Sequence, residues 1–117
     1  MRDYTKLRAF ELADKLAIEI YRVTQSFPRQ EQFGLTSQMR RAAVSMASNI
    51  VVGCARHTEV EYIRFLDIAF GSVRELDYQI SLATRLGILT SPNSEAVASI
   101  AQEISKVLGG LIRSLRQ

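Results

Sequence analysis

The chain is poor in the residues that most often announce a chemistry. It has no tryptophan, one cysteine, one histidine and two prolines in 117 residues. A lone cysteine, Cys54, excludes an internal disulfide and fits a reducing compartment. A lone histidine, His57, excludes the paired Glu-x-x-His ligands of a di-iron bundle. No HExxH, no CxxC and no glycine-rich phosphate loop occurs. No metal and no cofactor is therefore expected. Cys54 and His57 have a spacing that suggests a thiol hydrolase. Cys54 ends an apolar run, however, and reads better as a small buried hydrophobe. The expectation is a protein that is not an enzyme.

Long apolar runs are also missing. The longest uncharged stretch, Ala42 to Ala55, falls short of the ~20 residues that span a bilayer. The first residues mix acids and bases with apolar side chains, unlike the apolar centre of a signal peptide. These features point to a cytoplasmic protein with no membrane partner. The length suits one domain, residues 1–117, with enough surface to bury for a core without staples.

Acid is absent from one place in particular. Between Gln32 and His57 there is no Asp or Glu, but there are Arg40, Arg41 and Arg56. The net charge is +3, and the rest of the chain balances twelve bases against twelve acids. The whole excess thus sits in and beside one segment. Twelve of the fifteen bases are arginine, whose planar fork suits carboxylate and phosphate.

What is present is helical periodicity, four times over, with no strand-like alternation. The first helix is expected from about Lys6 to Gln25. It would bury Phe10, Ala13, Leu16, Ala17, Ile20 and Thr24, and end before Phe27-Pro28. The second is expected from Leu35 to about Gly53, capped by Thr36 or Ser37 and terminated by Gly53. The third follows the capping-box pattern Thr58-Glu59-Val60-Glu61 and runs to about Leu86, stopping at Gly87. The fourth has Ser91 as cap and Pro92 as its first residue, and reaches about Leu115. Gly109-Gly110 would either weaken it or allow close packing. Short connections between the last three make an all-α, antiparallel up-down-up-down four-helix bundle the simplest result.

The second helix divides into three stripes. Leu35, Met39, Ala42, Ala43, Met46 and Ile50 form a core stripe. Gln38, Arg41, Ser45 and Asn49 form a polar line. Arg41 is expected to reach Glu75 in a partly buried ion pair, with Ser45, Asn49, Ser72 and Gln79 completing a polar network. The plain alternative is two ordinary surface charges. Arg40, Val44, Ala47, Ser48 and Val51 form a third strip that a monomer would expose. A helix apolar on more than one side needs a further partner, and a second copy of the chain is the simplest. Arg40 and Arg56, with Arg41, would then repeat as a basic collar able to attract nucleic-acid phosphates. The alternative is that three arginines simply solvate a structural or adaptor oligomer whose partner is a protein.

Several motifs together resemble a known family. Phe27-Pro28, then Glu31-x-x-Gly34-Leu35-Thr36-x-Gln38-x-Arg40-Arg41-Ala42-Ala43-Val44-Ser45, then Ser48-Asn49-Ile50 and Gly53, are similar to the 23S rRNA intervening-sequence proteins. Phe65-Leu66-x-Ile68-Ala69-x-Gly71-Ser72-x-x-Glu75-Leu76 and Leu86-Gly87 extend the match. The resemblance implies an antiparallel four-helix bundle assembled as a homopentamer around a central funnel. It also implies RNA or DNA, or a nucleic-acid enzyme such as a reverse transcriptase, as possible partners. Two departures stand out. Val51-Val52-Gly53 replaces the family's usual Ala-Glu-Gly, which removes an acid from the polar line. Phe10 stands near where the family often has tryptophan, which keeps an aromatic in the core.

Overall fold

A computed structural model describes residues 2–117. Four helices make up the fold: α1 (Arg8–Thr24), α2 (Leu35–Cys54), α3 (Glu59–Arg85) and α4 (Asn93–Leu115). Each packs on two neighbours in a closed square, α1 on α2, α2 on α3, α3 on α4 and α4 on α1. Side chains that cross between helices fix the directions. Arg22 near the end of α1 reaches Asn93 at the start of α4, and Arg8 at the start of α1 pairs with Glu103. Arg116 after α4 pairs with Asp67 in the first half of α3. The helices are antiparallel, and the molecule measures 43 × 22 × 19 Å. Its long dimension is that of α3, about 40 Å for 27 residues.

Amphipathic spacing accounts for the core. The four helices contribute Leu16 and Ile20, Met39, Met46 and Ile50, Leu66, Leu76 and Ile80, and Ile104 and Leu108, all at most 2% exposed. The alanines Ala13, Ala42, Ala43, Ala69, Ala83 and Ala101 are fully buried and let the helices approach. In α1 the buried face is rotated relative to expectation. Ala9, Leu12 and Val23 are buried, whereas Phe10 and Ala17 are only half-buried. No helix among the described residues is long and apolar enough to cross a membrane.

The ends of the helices depart from the sequence reading in four places. A 3₁₀ turn, Tyr4–Lys6, precedes α1, which starts at Arg8 rather than Lys6. Neither Thr36 nor Ser37 caps α2. The Glu31 carboxylate does so, accepting from the Leu35 N–H at 3.0 Å, and Gly34 leaves room for it. A Cβ at position 34 would stand 2.6 Å from that carboxylate oxygen. At α4, Pro92 occupies the cap position and makes no side-chain cap bond, so the first helical residue is Asn93. The Thr58 cap of α3 is as expected, its hydroxyl accepting from the Glu61 N–H at 3.2 Å. Gly87, with φ of 75°, ends the α3 segment in the left-handed conformation glycine tolerates best.

The fourth departure is Gly53. It does not terminate α2 but lies inside it, buried against α3. A Cβ there would meet the Phe65 Cβ at 3.1 Å and the Tyr62 carbonyl oxygen at 3.4 Å. Glycine is required by a close approach of two helices, not by a turn.

These contacts set up opposite outcomes for two glycines. Gly53→Ala should lower stability by about 1 kcal/mol, because crowding against the Phe65 Cβ and the Tyr62 carbonyl outweighs the ~1 kcal/mol gain in helix propensity. Gly71→Ala, where nothing lies within 4 Å, should raise it by up to ~1 kcal/mol. Midpoints of urea unfolding measure both.

Candidate functional site

The uncharged centre of α2 has basic residues at both ends, and the fold treats each differently. Arg40 is half-buried. Its Nε donates to the Thr24 hydroxyl at 2.8 Å, its Nη2 to the Tyr21 carbonyl at 3.3 Å, and its guanidinium lies 4.7 Å from the Tyr21 ring centre. A cation on the last turn of α1 complements that helix's negative end. Arg40 therefore ties α1 to α2 and has no carboxylate partner among the described residues.

Arg41 turns the other way, towards α3. It donates to Gln38 Oε1 through Nη2 at 3.0 Å and forms an ion pair with Glu75. Its side chain is 54% exposed and that of Glu75 is 39% exposed, so solvent screens the pair. Glu75 also accepts from Gln79 Nε2 at 3.2 Å. Farther along the seam, Ser45 and Ser72 share a 3.0 Å hydrogen bond. Asn49 Nδ2 donates to the Ser45 carbonyl at 2.8 Å and to its hydroxyl at 3.1 Å. The polar line thus forms two separate groups, Gln38–Arg41–Glu75–Gln79 and Asn49–Ser45–Ser72. The buried Gln79 Oε1 has no protein partner.

Arg56 lies beyond the end of α2 in the turn to α3. It is exposed, with its guanidinium 5.6 Å from the Phe65 ring centre. About 20 Å of helix axis separates Arg41 from Cys54 at the end of α2, and Arg56 lies two residues beyond. The three arginines therefore form two basic regions, not one. Arg40 and Arg41 line an open groove of about 500 Å³ with Tyr21, Thr36 and Ser37, and no carboxylate lines it.

The third strip of α2 is less exposed than the sequence suggests. Val44 is 45% exposed and Ser48 is exposed, but Arg40, Ala47 and Val51 are half-buried. The cause is α1 and the 3₁₀ turn before it, which both pack on α2 and shelter one flank. Val52, where the family motif carries an acid, is 37% exposed beside the polar line.

Cys54 and His57 do not come together as a reactive pair. Cys54 is 1% exposed and His57 lies on the surface. Burial pushes the Cys54 thiol up, while the Tyr62 hydroxyl and the Arg2 charge offset part of that rise. Burial likewise pushes the Tyr62 phenol up. No group of three or more potential metal ligands occurs among the described residues.

The profile of the 23S rRNA-intervening sequence proteins matches residues 5–110, nearly the whole bundle. The chain belongs to this family. A solved structure, a protein of unknown function from the S23 ribosomal protein family of Bacteroides thetaiotaomicron VPI-5482, shares the fold with a TM-score of 0.80. The two chains are 23% identical, over 89% of this chain and 97% of that one. No curated protein matches. Within this member of the family, the residues that linear reading missed are Tyr21, Glu31 and Arg2. Each acts through a partner distant in the chain or through a backbone group, so periodicity carries no sign of them.

Two measurements follow from this geometry. A double-mutant cycle on Arg41→Ala and Glu75→Ala should show about 0.5 kcal/mol of coupling, shrinking as salt is raised. The raised Cys54 and Tyr62 groups set a sign for pH. The unfolded chain releases these protons first, so their contribution is intact below the ordinary thiol value of 9.0 and is lost as pH rises beyond it. Denaturation midpoints should fall as pH rises above 9.0, with a shallower fall in Cys54→Ala.

Proposed function

We propose that this chain is a non-enzymatic, cytoplasmic, homo-oligomeric bundle that binds nucleic acid through the arginine-bearing surface of α2. The observation that carries this reading is the acid-free basic groove at the start of that helix. Arg40 and Arg41 present guanidinium groups there beside the hydroxyls of Thr36 and Ser37, with no carboxylate in the lining. Guanidinium groups and hydroxyls are the usual phosphate contacts of nucleic-acid-binding proteins. The reading also includes a nucleic-acid-processing enzyme as a partner recruited to the same surface.

Self-association supports the binding. Val44 and Ser48 leave an uncharged opening on α2 between the two basic regions. A neighbouring copy seated there, in the homopentamer that the motifs imply, would repeat the arginines around a ring. Repetition turns a weak electrostatic contact into a strong one.

Val44→Glu tests the assembly. Position 44 is exposed in the single chain, so the fold should survive while a charge disrupts the contact between copies. Analytical ultracentrifugation should show five copies of the 13.2 kDa chain for the parent and one for the variant. Oligonucleotide affinity should fall at least tenfold, through the loss of the ring and through the acid placed in the groove that Val44 helps to line, and log K for the parent should fall steeply with log salt concentration. A parent that sediments as a monomer, or binds independently of salt, would contradict the reading.

A further inference from the structure

Arg56 has neighbours that the groove at the other end of α2 lacks. The segment before α1 folds back over the end of α2, where the Arg2 N–H donates to the Cys54 carbonyl at 3.2 Å. The Arg2 guanidinium lies 3.9 Å from the Tyr62 ring centre, and its Nη1 donates to the Arg56 carbonyl at 3.3 Å. Two parts of the sequence, 54 residues apart, are thus fastened side by side. They enclose an open cleft of about 590 Å³ lined by Arg2, Ala55, Arg56 and His57.

Two of these four lining residues are arginine, a third is histidine, and none is acidic. The acids closest in sequence are Asp3, Glu59 and Glu61. Asp3 accepts from the Thr5 N–H and hydroxyl at 3.0 and 2.6 Å, and Glu61 pairs with Arg64 at 3.5 Å. Glu59, in the first turn of α3, does not line the cleft. The two arginine-lined grooves away from α2 are neutralised from within. The α3–α4 groove sets Arg74 and Arg85 against Asp77 and Glu95, and the groove at Arg64 and Arg116 contains Asp67.

The two guanidinium groups are held ready. Stacking on Tyr62 and Phe65 occupies a face of each and leaves the N–H edges available. Arg2 commits one of its five donors to the Arg56 carbonyl. N–H edges left free, with a surface imidazole beside them, suit a tetrahedral oxyanion.

We infer that the Arg2–Arg56–His57 cleft is a second phosphate site, holding a backbone phosphate of the same nucleic acid strand that occupies the Arg40–Arg41 groove. This rests on the nucleic-acid reading above. The roughly 20 Å of helix between Arg41 and the end of α2 corresponds to about six phosphate steps of a stacked strand at ~3.4 Å each. The occupant is therefore an elongated polyanion, and a small phosphorylated metabolite would reach one cleft only.

The test uses the full chain and a fluorescein-labelled 12-nucleotide thymidine oligomer, read by anisotropy across a salt series. Arg56→Ala/His57→Ala changes two exposed side chains and should leave the thermal midpoint unaltered. It should weaken binding about tenfold at 0.1 M salt and flatten the salt slope by about 1. Arg56→Lys should recover part of the loss as a point charge. Because His57 is the single histidine, its ring protons report on this cleft alone by NMR. They should shift saturably with the 12-mer.

Outcomes separate the two readings. If the parent binds and Arg41→Ala weakens it, but Arg56→Ala/His57→Ala does not and the His57 signals stay fixed, the second site is wrong and the groove reading stands. If the parent shows no salt-dependent binding, both are overturned. A 4-mer that binds as tightly as the 12-mer would remove the bridge between the two clefts.

Discussion

The close approach of α2 to α3 at Gly53 governs the rest of the molecule. With a side chain at that position, the last turn of α2 would be forced away from Tyr62 and Phe65. Those two rings do more than fill space. Tyr62 carries the guanidinium of Arg2, and Phe65 lies beneath Arg56 and Arg64. The tight seam therefore sets the position of the turn, of the strap that crosses it and of the cations displayed there. Small residues elsewhere in the core serve the same purpose along the helix, since Ala42, Ala43 and Ala69 are fully buried.

Polar groups along this seam act mainly on register. An exposed ion pair such as Arg41–Glu75 is worth at most ~1 kcal/mol, far less than the burial of Met39, Met46 and Ile50 beside it. A slip of α2 by one turn would still bury apolar surface, but it would break the Ser45–Ser72 bond and leave the buried Ser72 hydroxyl without that partner. An unmatched buried hydroxyl costs ~1–3 kcal/mol, so the Ser45–Ser72 bond penalises the slip more than the ion pair does. Hydrophobic burial drives the association of α2 with α3, and two serines decide where it stops.

Much of this was legible in the sequence. The number of helices, the core stripe of α2, the Thr58 cap and the Gly87 stop follow from spacing and local chemistry. The misread places share one cause: a partner that is not a local neighbour in the expected pattern. Gly53 looks like a terminator until Phe65 is brought against it. Thr36 and Ser37 look like caps, but Glu31 reaches the Leu35 N–H from the preceding turn. Val51 and Ala47 look exposed on a helical wheel, which cannot show that α1 lies over one flank. The candidate site divides in the same way. Arg40, Arg41 and Arg56 stand out as cations without nearby acids, whereas Arg2, 54 residues from Arg56, offers no linear signal of its place beside it.

The cations of α2 differ in how much of their charge remains for a partner. Arg41 has already given part of its field to Glu75, and a phosphate there must compete with a carboxylate. Arg40 keeps its full charge, but its Nε and Nη2 are spent on Thr24 and Tyr21, so its freedom to reorient is small. Among the described residues Arg56 has neither a carboxylate nor a hydrogen-bonded anchor for its side chain, and an aromatic ring lies at one side. A positive field is therefore rigid and partly neutralised at the start of α2, and unneutralised at its end. Val52 sharpens this gradient, because an acid in its place would add negative charge near the end of α2 that Arg56 follows. An anion approaching α2 would feel the stronger pull at the end where the strap and the turn meet, and would be held in register at the other.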